Sequence, residues 1–408
     1  MLILVANLGS TSFKYQLLNV SGDCTAASVR PADRVLAKGS IDRIGDTESR
    51  CTVTIGDYRS KTDLSVPDHG VAVEACLKQL TEPETGCLTD ASEVAAIAFK
   101  AVHGGRRSGT VIVDDDVLDA MAEMNAAAPA HNPPYIAAMK LLSDRFPDLP
   151  LVAAFETEFH ETIPKPRRTY AIERRFDDEF QIRKWGFHGA SHRYIAERTS
   201  SLLERDDARV ISCHLGGSSS LTAIANGRSV MTTMGMTPQT GLPQNNRVGD
   251  FDPFALPLLM DRTGLSLDDL LARLASEGGL KGISGQSGDL RDLESSAEQG
   301  DSDAQLALDI YVEEIRRHLG GMLVALGRTD AIVFTGGIGE NSEWVRGAVC
   351  RELQAMEIIL DPAKNHRTNS PEGDGERSLQ SDDSRTQIWV IPTNEEWVVA
   401  KRAKAVLS

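Results

Sequence analysis

At 408 residues the chain exceeds what one ordinary core accommodates, which points to two domains with room for a small third. Its formal net charge of −16 excludes a general affinity for DNA, RNA or anionic membrane, because those partners need a basic surface; an anionic ligand must instead meet a locally positive pocket. Six cysteines lie far apart with no CxxC pair, no run approaches about 18 apolar residues, and no basic leader opens the chain, all of which fit a soluble protein of a reducing cytoplasm.

The apolar run Leu2–Ala6 leads into Asn7-Leu8-Gly9-Ser10-Thr11-Ser12-Phe13-Lys14, and the following residues alternate imperfectly up to Ser21-Gly22, so Leu2–Val20 reads as a β-hairpin. Buried strands are expected at Val94–Val102 and Leu151–Phe155. After Val210–Cys213 comes a near copy of the first turn, His214-Leu215-Gly216-Gly217-Ser218-Ser219-Ser220-Leu221. The strand that starts there meets Asn226-Gly227, a strong turn pair, and resumes at Arg228–Met231. Two hairpins of one design, each opening half of the chain, indicate an internal duplication in which each half supplies one wall of a cleft. Further on, Leu308, Tyr311, Val312, Ile315, Leu319, Met322 and Leu323 recur at i, i+3, i+4, i+7 spacing on one helix face. The strand Ala331–Phe334, the turn Thr335-Gly336-Gly337-Ile338-Gly339-Glu340-Asn341 and a second helix follow. Strands alternating with helices imply an α/β sheet with its ligand at the strand ends. Asn365–Arg385 is polar and reads as an exposed loop without direct chemistry.

Glycine lets a turn bring backbone N–H groups close to a ligand, and Ser and Thr hydroxyls add donors, a combination suited to phosphate oxygens. Two such turns facing each other would hold the β- and γ-phosphates of one nucleotide, with Lys14 as a point charge. Taken singly, each turn reads equally as a plain hairpin connection; the duplication and the late TGGIGEN segment favour the nucleotide. Neither a GxGxxG fingerprint nor a GxxxxGK[ST] run is present.

In order, the chain carries NLGSTSFK (7–14), VHGG (102–105), PAHNP (129–133), FETEFHETIP (155–164), WGFHGASH (185–192), CHLGGSSS (213–220), MGMTP (234–238), NRVGDFDP (246–253), GDLRDLE (288–294), TGGIGEN (335–341) and IPTNEE (391–396). Through these segments it resembles the acetate kinase family along essentially its whole length. The resemblance implies an α/β, duplicated actin-like (ribonuclease H-like) two-domain fold with a nucleotide cleft between the domains. The first domain would comprise 1–155 completed by 393–408, and the second 156–392, carrying the adenosine and phosphate motifs. It further implies ATP- and Mg²⁺-dependent phosphorylation of a short-chain carboxylic acid to an acyl phosphate by a cytoplasmic homodimer.

Under that resemblance Glu156, His188 and Arg247 would be catalytic, and Asn7 and Glu395 would position Mg²⁺. Lys14, His214, Gly216, Gly217, Ser218, Ser219, Ser220, Asp289, Leu290, Arg291, Gly336, Gly337, Ile338, Gly339 and Glu340 would hold the nucleotide. Lys100, Val102, Ala130, Phe187 and Pro238 would take the acid. Outside the motifs these residues have plainer readings: Glu395 as an exposed acid opening the last helix, Asn7 as a turn closer, and Val102, Phe187 and Pro238 as packing.

The chain departs from the family's pattern at several of these places. Lys100 stands where an arginine grips the substrate carboxylate, replacing a planar fork by a point charge. Glu156 replaces an aspartate, the family's HLGNGSS-like turn has Gly217 in place of Asn, and the MGTRSG-like run reads Asn245-Asn246-Arg247-Val248-Gly249, which keeps the arginine within altered neighbours. Ala130 replaces a leucine and would enlarge the acid pocket. These changes suggest a kinase for an acid other than acetate, larger or bearing a polar group. The competing classes are a nucleotide-binding homologue without transfer activity and a kinase of a hydroxyl substrate, in which Glu156 would serve as base.

Overall fold

The first hairpin forms as its alternation requires. Strand β1 (Leu2–Gly9) pairs antiparallel with β2 (Ser12–Asn19), with Asn7 opposite Lys14 and Gly9 opposite Ser12. Along β2 the side chains of Phe13, Tyr15 and Leu17 are buried, while Lys14 and Gln16 point to the other face, as a period of two dictates. The computed structural model describes residues 1–9, 11–20, 34–129, 131–366 and 375–408, in two units: Met1–Glu158 with Asn394–Ser408, and Phe159–Thr393.

Unit 1 continues with β3 (Val35–Asp42), β4 (Ser49–Ile55), β5 (Tyr58–Leu64), β6 (Val94–Ala101), β7 (Thr110–Ile112) and β8 (Leu151–Phe155). They make one sheet in the order β5-β4-β3-β2-β1-β6-β8-β7, antiparallel from β5 to β1 and parallel across β1, β6 and β8. The apolar run of β8 is buried at every residue, the pattern of a strand covered on both faces. Strands β3 to β5 are additions to the expected set. β5 hides its strand character behind an almost wholly exposed sequence with charges at Arg59, Lys61 and Asp63, which also blunt the sheet edge. Leu4, Ala6 and Leu8 face a core shared with helices His69–Leu80 and Asn132–Arg145, where Phe99 meets Tyr135 edge to face at 6.4 Å. The terminal helix Glu395–Leu407 packs on β1, β6, β7 and β8.

Unit 2 is built on β9 (Arg209–His214), β10 (Ser220–Ala225), β11 (Arg228–Thr232), β12 (Ala331–Thr335), β13 (Arg377–Ser378) and β14 (Gln387–Val390), in the order β11-β10-β9-β12-β14-β13. β9, β10 and β11 are antiparallel, and β9, β12 and β14 are parallel. The run β3-β2-β1-β6-β8 in unit 1 therefore has the same order and sense as β11-β10-β9-β12-β14 here, which is the duplication expected from the paired turns. Asn226 and Gly227 join β10 to β11 with φ of 53° and 70°, a pair of left-handed residues as in a type I′ turn. The long helix Ser302–Leu326, capped by Asp301, buries Leu308, Tyr311, Val312, Ile315, Leu319 and Met322; Leu323 is half-buried.

The segment Asn365–Arg385 is not the exposed loop its composition suggests. Asn365 is buried and accepts a hydrogen bond from Arg346 at 2.8 Å, Glu376 makes a two-pronged ion pair with Arg198, and Leu379 is fully buried. Its polar residues pair with the buried Arg346 and the half-buried Arg198, a distinction composition does not carry; residues 367–374 lie outside the described set. Five described cysteines are unbonded, and Cys24 falls outside that set. Among the described residues no helix is long and apolar enough to cross a membrane.

Candidate active site

In unit 1 the residues singled out by sequence gather around the ends of β1 and β6. The Asn7 carboxamide oxygen accepts a hydrogen bond from the Tyr135 hydroxyl at 3.1 Å, which in turn accepts from the Leu8 N–H at 3.1 Å. Burial raises the Tyr135 pKa, so the phenol stays a donor. Lys100, on β6, donates to the Glu395 carboxylate at 2.6 Å. Burial alone would discharge this ammonium, but the carboxylates of Glu395 and Glu156 outweigh it and raise its pKa. Glu395 is therefore not an exposed acid. It opens the terminal helix, where the peptide dipoles favour a carboxylate, and meets the lysine assigned to the acid substrate. Glu156 is buried immediately after β8, its N–H donating to the Ala101 carbonyl at 2.8 Å. Val102 is half-buried just past β6, and Ala130 lies outside the described residues. Lys14 is exposed and lines a cavity of about 310 Å³ together with Asn7, Gln16, Lys38, Ser40 and Glu396. Burial raises the Glu396 carboxyl above its ordinary range.

Unit 2 holds the second set around the turn between β9 and β10. Its alternate serines anchor the two catalytic candidates: Ser220 Oγ lies 2.8 Å from His188 Nδ1, and Ser218 Oγ accepts from Arg247 Nη1 at 3.3 Å. Arg247 also donates to Gln244 Oε1 at 3.2 Å, and Ser218 donates to the same oxygen at 2.7 Å. Burial lowers the Arg247 pKa, though a guanidinium keeps its charge. The loop that carries this arginine closes on Gly279, which has φ of 59°; a Cβ there would meet the Gln244 carbonyl at 2.0 Å, so only glycine fits.

His188 itself sits at φ 56°, a strained value for a non-glycine residue, just before helix Gly189–Leu203. Its ring stacks on His214 at 4.2 Å, and His214 Nδ1 lies 2.8 Å from Ser191 Oγ. Behind them His192 is fully buried between Ser212 and Ser220, with ring nitrogens 2.8 and 2.9 Å from the two hydroxyls. Burial pushes His192 well below its ordinary pKa, so it is neutral and has one N–H and one lone pair to share between the serines. Ser220 has a single hydroxyl proton for two imidazoles. When His188 donates from Nδ1, Ser220 passes its proton on to His192; when His192 donates, Ser220 donates to His188. His160, buried and lowered to about 4, donates from Nε2 to the Phe187 carbonyl at 2.8 Å and accepts from Ser229.

The turn's side chains thus divide. Ser219 and Ser220 point inward, Ser219 toward Tyr311 at 2.9 Å, so their hydroxyls brace the turn instead of meeting a nucleotide. Gly216, Gly217, Asp289, Leu290, Arg291, Gly337 and Ile338 line a common cavity of about 540 Å³. Asp289 caps helix Leu290–Glu298 and makes a two-pronged pair with Arg291, which holds its carboxyl below the usual range; Leu290 anchors the helix in the core. TGGIGEN forms a short helix, Gly336–Asn341, directly after β12. Gly336, with φ of 77°, passes so close to the Leu215 carbonyl that a Cβ would stand 2.7 Å away, and its N–H donates to Glu340 at 2.9 Å. Gly339 is buried against β9, and burial raises the Glu340 carboxyl. Phe187 and Pro238 are buried, and the Pro238 carbonyl accepts from Gln244 at 2.8 Å.

The Acetokinase family profile matches residues 2–401. The chain belongs to the acetokinase family. It is 39% identical to the acetate kinase of Natranaerobius thermophilus over 411 residues, covering 100% of both chains, and 37% identical to that of Shouchella clausii, covering 98% of each. Among solved structures it is similar to Porphyromonas gingivalis acetate kinase (TM-score 0.88, 32% identity, 100% of both chains) and to a propionate kinase from Francisella tularensis (TM-score 0.86, 31% identity, 98% of both chains). The two-sheet α/β architecture is that of these acetokinase structures, the actin-like fold expected from the sequence. Gln244, Asn245, His160, His192, Lys38 and Glu396 carry no signal of a role in the sequence. All but Lys38 lie inside or beside the motifs, but their contacts depend on partners 20 or more residues away or on a neighbouring strand.

Proposed function

We propose that this acetokinase transfers the γ-phosphoryl group of ATP to a short-chain carboxylic acid, with Mg²⁺ bound through Asn7 and Glu395, and that its preferred acid is larger or more polar than acetate. The observation that carries the reading is the seating of His188 and Arg247 on alternate serines of one glycine-rich turn. A carboxylate is ionised at neutral pH and needs no strong base. Its oxygen forms the new P–O bond as the bond between the γ-phosphorus and the β,γ-bridging oxygen breaks, and ADP leaves. The charge gathered on the equatorial phosphoryl oxygens is met by the fixed guanidinium of Arg247 and by an N–H of His188, whose second nitrogen is held by Ser220.

The donor set fits Mg²⁺. Asn7 and Glu395 offer hard oxygens, and the ion pair of Glu395 with Lys100 supports an ionised carboxylate there. Among the described residues no group of three His, Cys, Asp or Glu side chains could hold a metal, so the ion would arrive with nucleotide oxygens and waters rather than reside in a protein cage. When bound, it supplies charge neutralisation to the phosphates.

The bond from Lys100 to Glu395 supports the unusual acid preference, since an ammonium already engaged grips a substrate carboxylate less firmly than a free planar fork. A homodimer is supported by helices Ala255–Thr263 and Leu267–Ser276, where Phe254, Leu258, Leu267 and Leu271 are exposed together and the first helix buries no residue. Purified protein given MgATP and a panel of short acids, with the product trapped as hydroxamate, should turn over a longer or hydroxylated acid faster than acetate. Fastest turnover on acetate would remove the specificity claim, and no hydroxamate from any acid would remove transfer itself.

A further inference from the structure

The MGTRSG and HLGNGSS patterns, set against this chain in register with Arg247 and His214, show an exchange: asparagine is absent at 217 and present at 245, where the pattern has glycine. The two positions lie 28 residues apart in the chain but touch in space. The Asn245 N–H donates to the Gly217 carbonyl at 3.3 Å. A Cβ built on Gly217 would stand 3.4 Å from Asn245 Nδ2 and 3.8 Å from its carboxamide carbon, with nothing else within 4 Å. The Asn245 carboxamide therefore lies in van der Waals contact with the point from which a side chain at 217 would project.

We propose that Asn245 is a nucleotide-binding residue of this enzyme, its Nδ2 donating to the phosphate chain of ADP or ATP in place of the side chain that Gly217 lacks. The proposal rests on the reading of the chain as an ATP-dependent kinase. Asn245 lines the 540 Å³ cavity together with Gly216 and Gly217 of the turn. Its backbone is fixed: its carbonyl accepts from Lys281 N–H at 2.9 Å, and Gly288 passes so close that a Cβ there would stand 2.2 Å from that oxygen. Of the carboxamide atoms, Nδ2 lies nearest the turn, and the oxygen is buried without a hydrogen-bond partner. A fixed amide donor beside the backbone of a glycine turn suits a phosphate oxygen.

Calorimetric titration with MgADP and with AMP, which lacks the second phosphate, tests this on the intact protein. Asn245→Gly should weaken MgADP binding about tenfold, the worth of one hydrogen bond to a charged group, and leave AMP unchanged. Asn245→Asp, which keeps the shape but presents a carboxylate, should weaken MgADP further. Gly217→Asn alone should also weaken binding because two side chains compete for one space, whereas Gly217→Asn combined with Asn245→Gly should return MgADP affinity to within about threefold of the native value. Native MgADP affinity in Asn245→Gly and Asn245→Asp, or a double variant no better than Asn245→Gly, would overturn the assignment while leaving the kinase reading intact. Failure of the native protein to bind MgADP at all would instead overturn that reading and the assignment with it.

Discussion

The two glycine-serine hairpins descend from one design yet have been put to different use. In unit 1, β1 ends at Gly9 and β2 resumes at Ser12, a tight connection that leaves Asn7 and Lys14 as facing partners on the strands themselves. In unit 2, β9 ends at His214 and β10 begins at Ser220, and the five intervening residues form a loop braced from inside by Tyr311 and fixed to Arg247 through Ser218. The short turn presents side chains from strands, while the long one turns the hydroxyls of Ser219 and Ser220 inward. Repetition of a motif therefore does not fix its chemistry. The length of the connection decides how far a turn exposes main chain rather than side chains.

If the longer turn carries the transition-state charge, damage there should exceed damage at the shorter one. Arg247→Ala should reduce kcat for acyl phosphate formation about a thousandfold or more with MgADP affinity changed only a fewfold, as for arginines that act on a transferring phosphoryl group; a matching loss of ADP affinity would make Arg247 a ground-state anchor. Unit 2 should also be the more acid-sensitive. His160 and His192 are buried and neutral, so above pH 6.5 neither folded nor unfolded chain holds the proton; between 6.5 and about 4 only the unfolded chain takes it up, and stability falls as pH drops. For His160 the loss is about 3 kcal/mol across that window, and His103 in unit 1, also lowered to about 4 by burial, adds a similar amount. Denaturant midpoints at pH 7 and pH 4.5 should show this drop, and His160→Gln should shrink it; an unchanged drop would assign acid sensitivity to other groups.

Smaller effects are expected in unit 1. Glu395→Gln should raise the Mg²⁺ concentration for half-maximal activity about tenfold, equivalent to roughly 1.4 kcal/mol. Lys14→Ala, at an exposed side chain, should alter MgADP affinity less than about threefold. A loss of MgADP affinity in Lys14→Ala larger than about tenfold would contradict the division of labour between the turns.

Much of this architecture is legible in the residues because its signals are local. Leu2–Val20, Ala331–Phe334 and the long amphipathic helix announce themselves by period, and Asn226-Gly227 by turn chemistry. What escapes is what depends on distant partners. Strand β5 looks like a charged loop until β4 pairs with it, and Glu395 looks exposed until Lys100, 295 positions earlier, is placed beside it. Ser219 and Ser220 look like phosphate donors because sequence shows a hydroxyl but not its direction. The exchange between Gly217 and Asn245 appears as two unrelated departures until the hydrogen bond from the Asn245 N–H to the Gly217 carbonyl joins them.

Amide hydrogen exchange on the full-length protein, with ADP alone and then with ADP and Mg²⁺, tests the division between the turns most directly. ADP alone should protect 214–220, 245, 289–291 and 336–341, and residues flanking Asn7 and Glu395 should change only when Mg²⁺ is added. Protection around Asn7 by metal-free ADP, with 214–220 unaltered, would contradict that division.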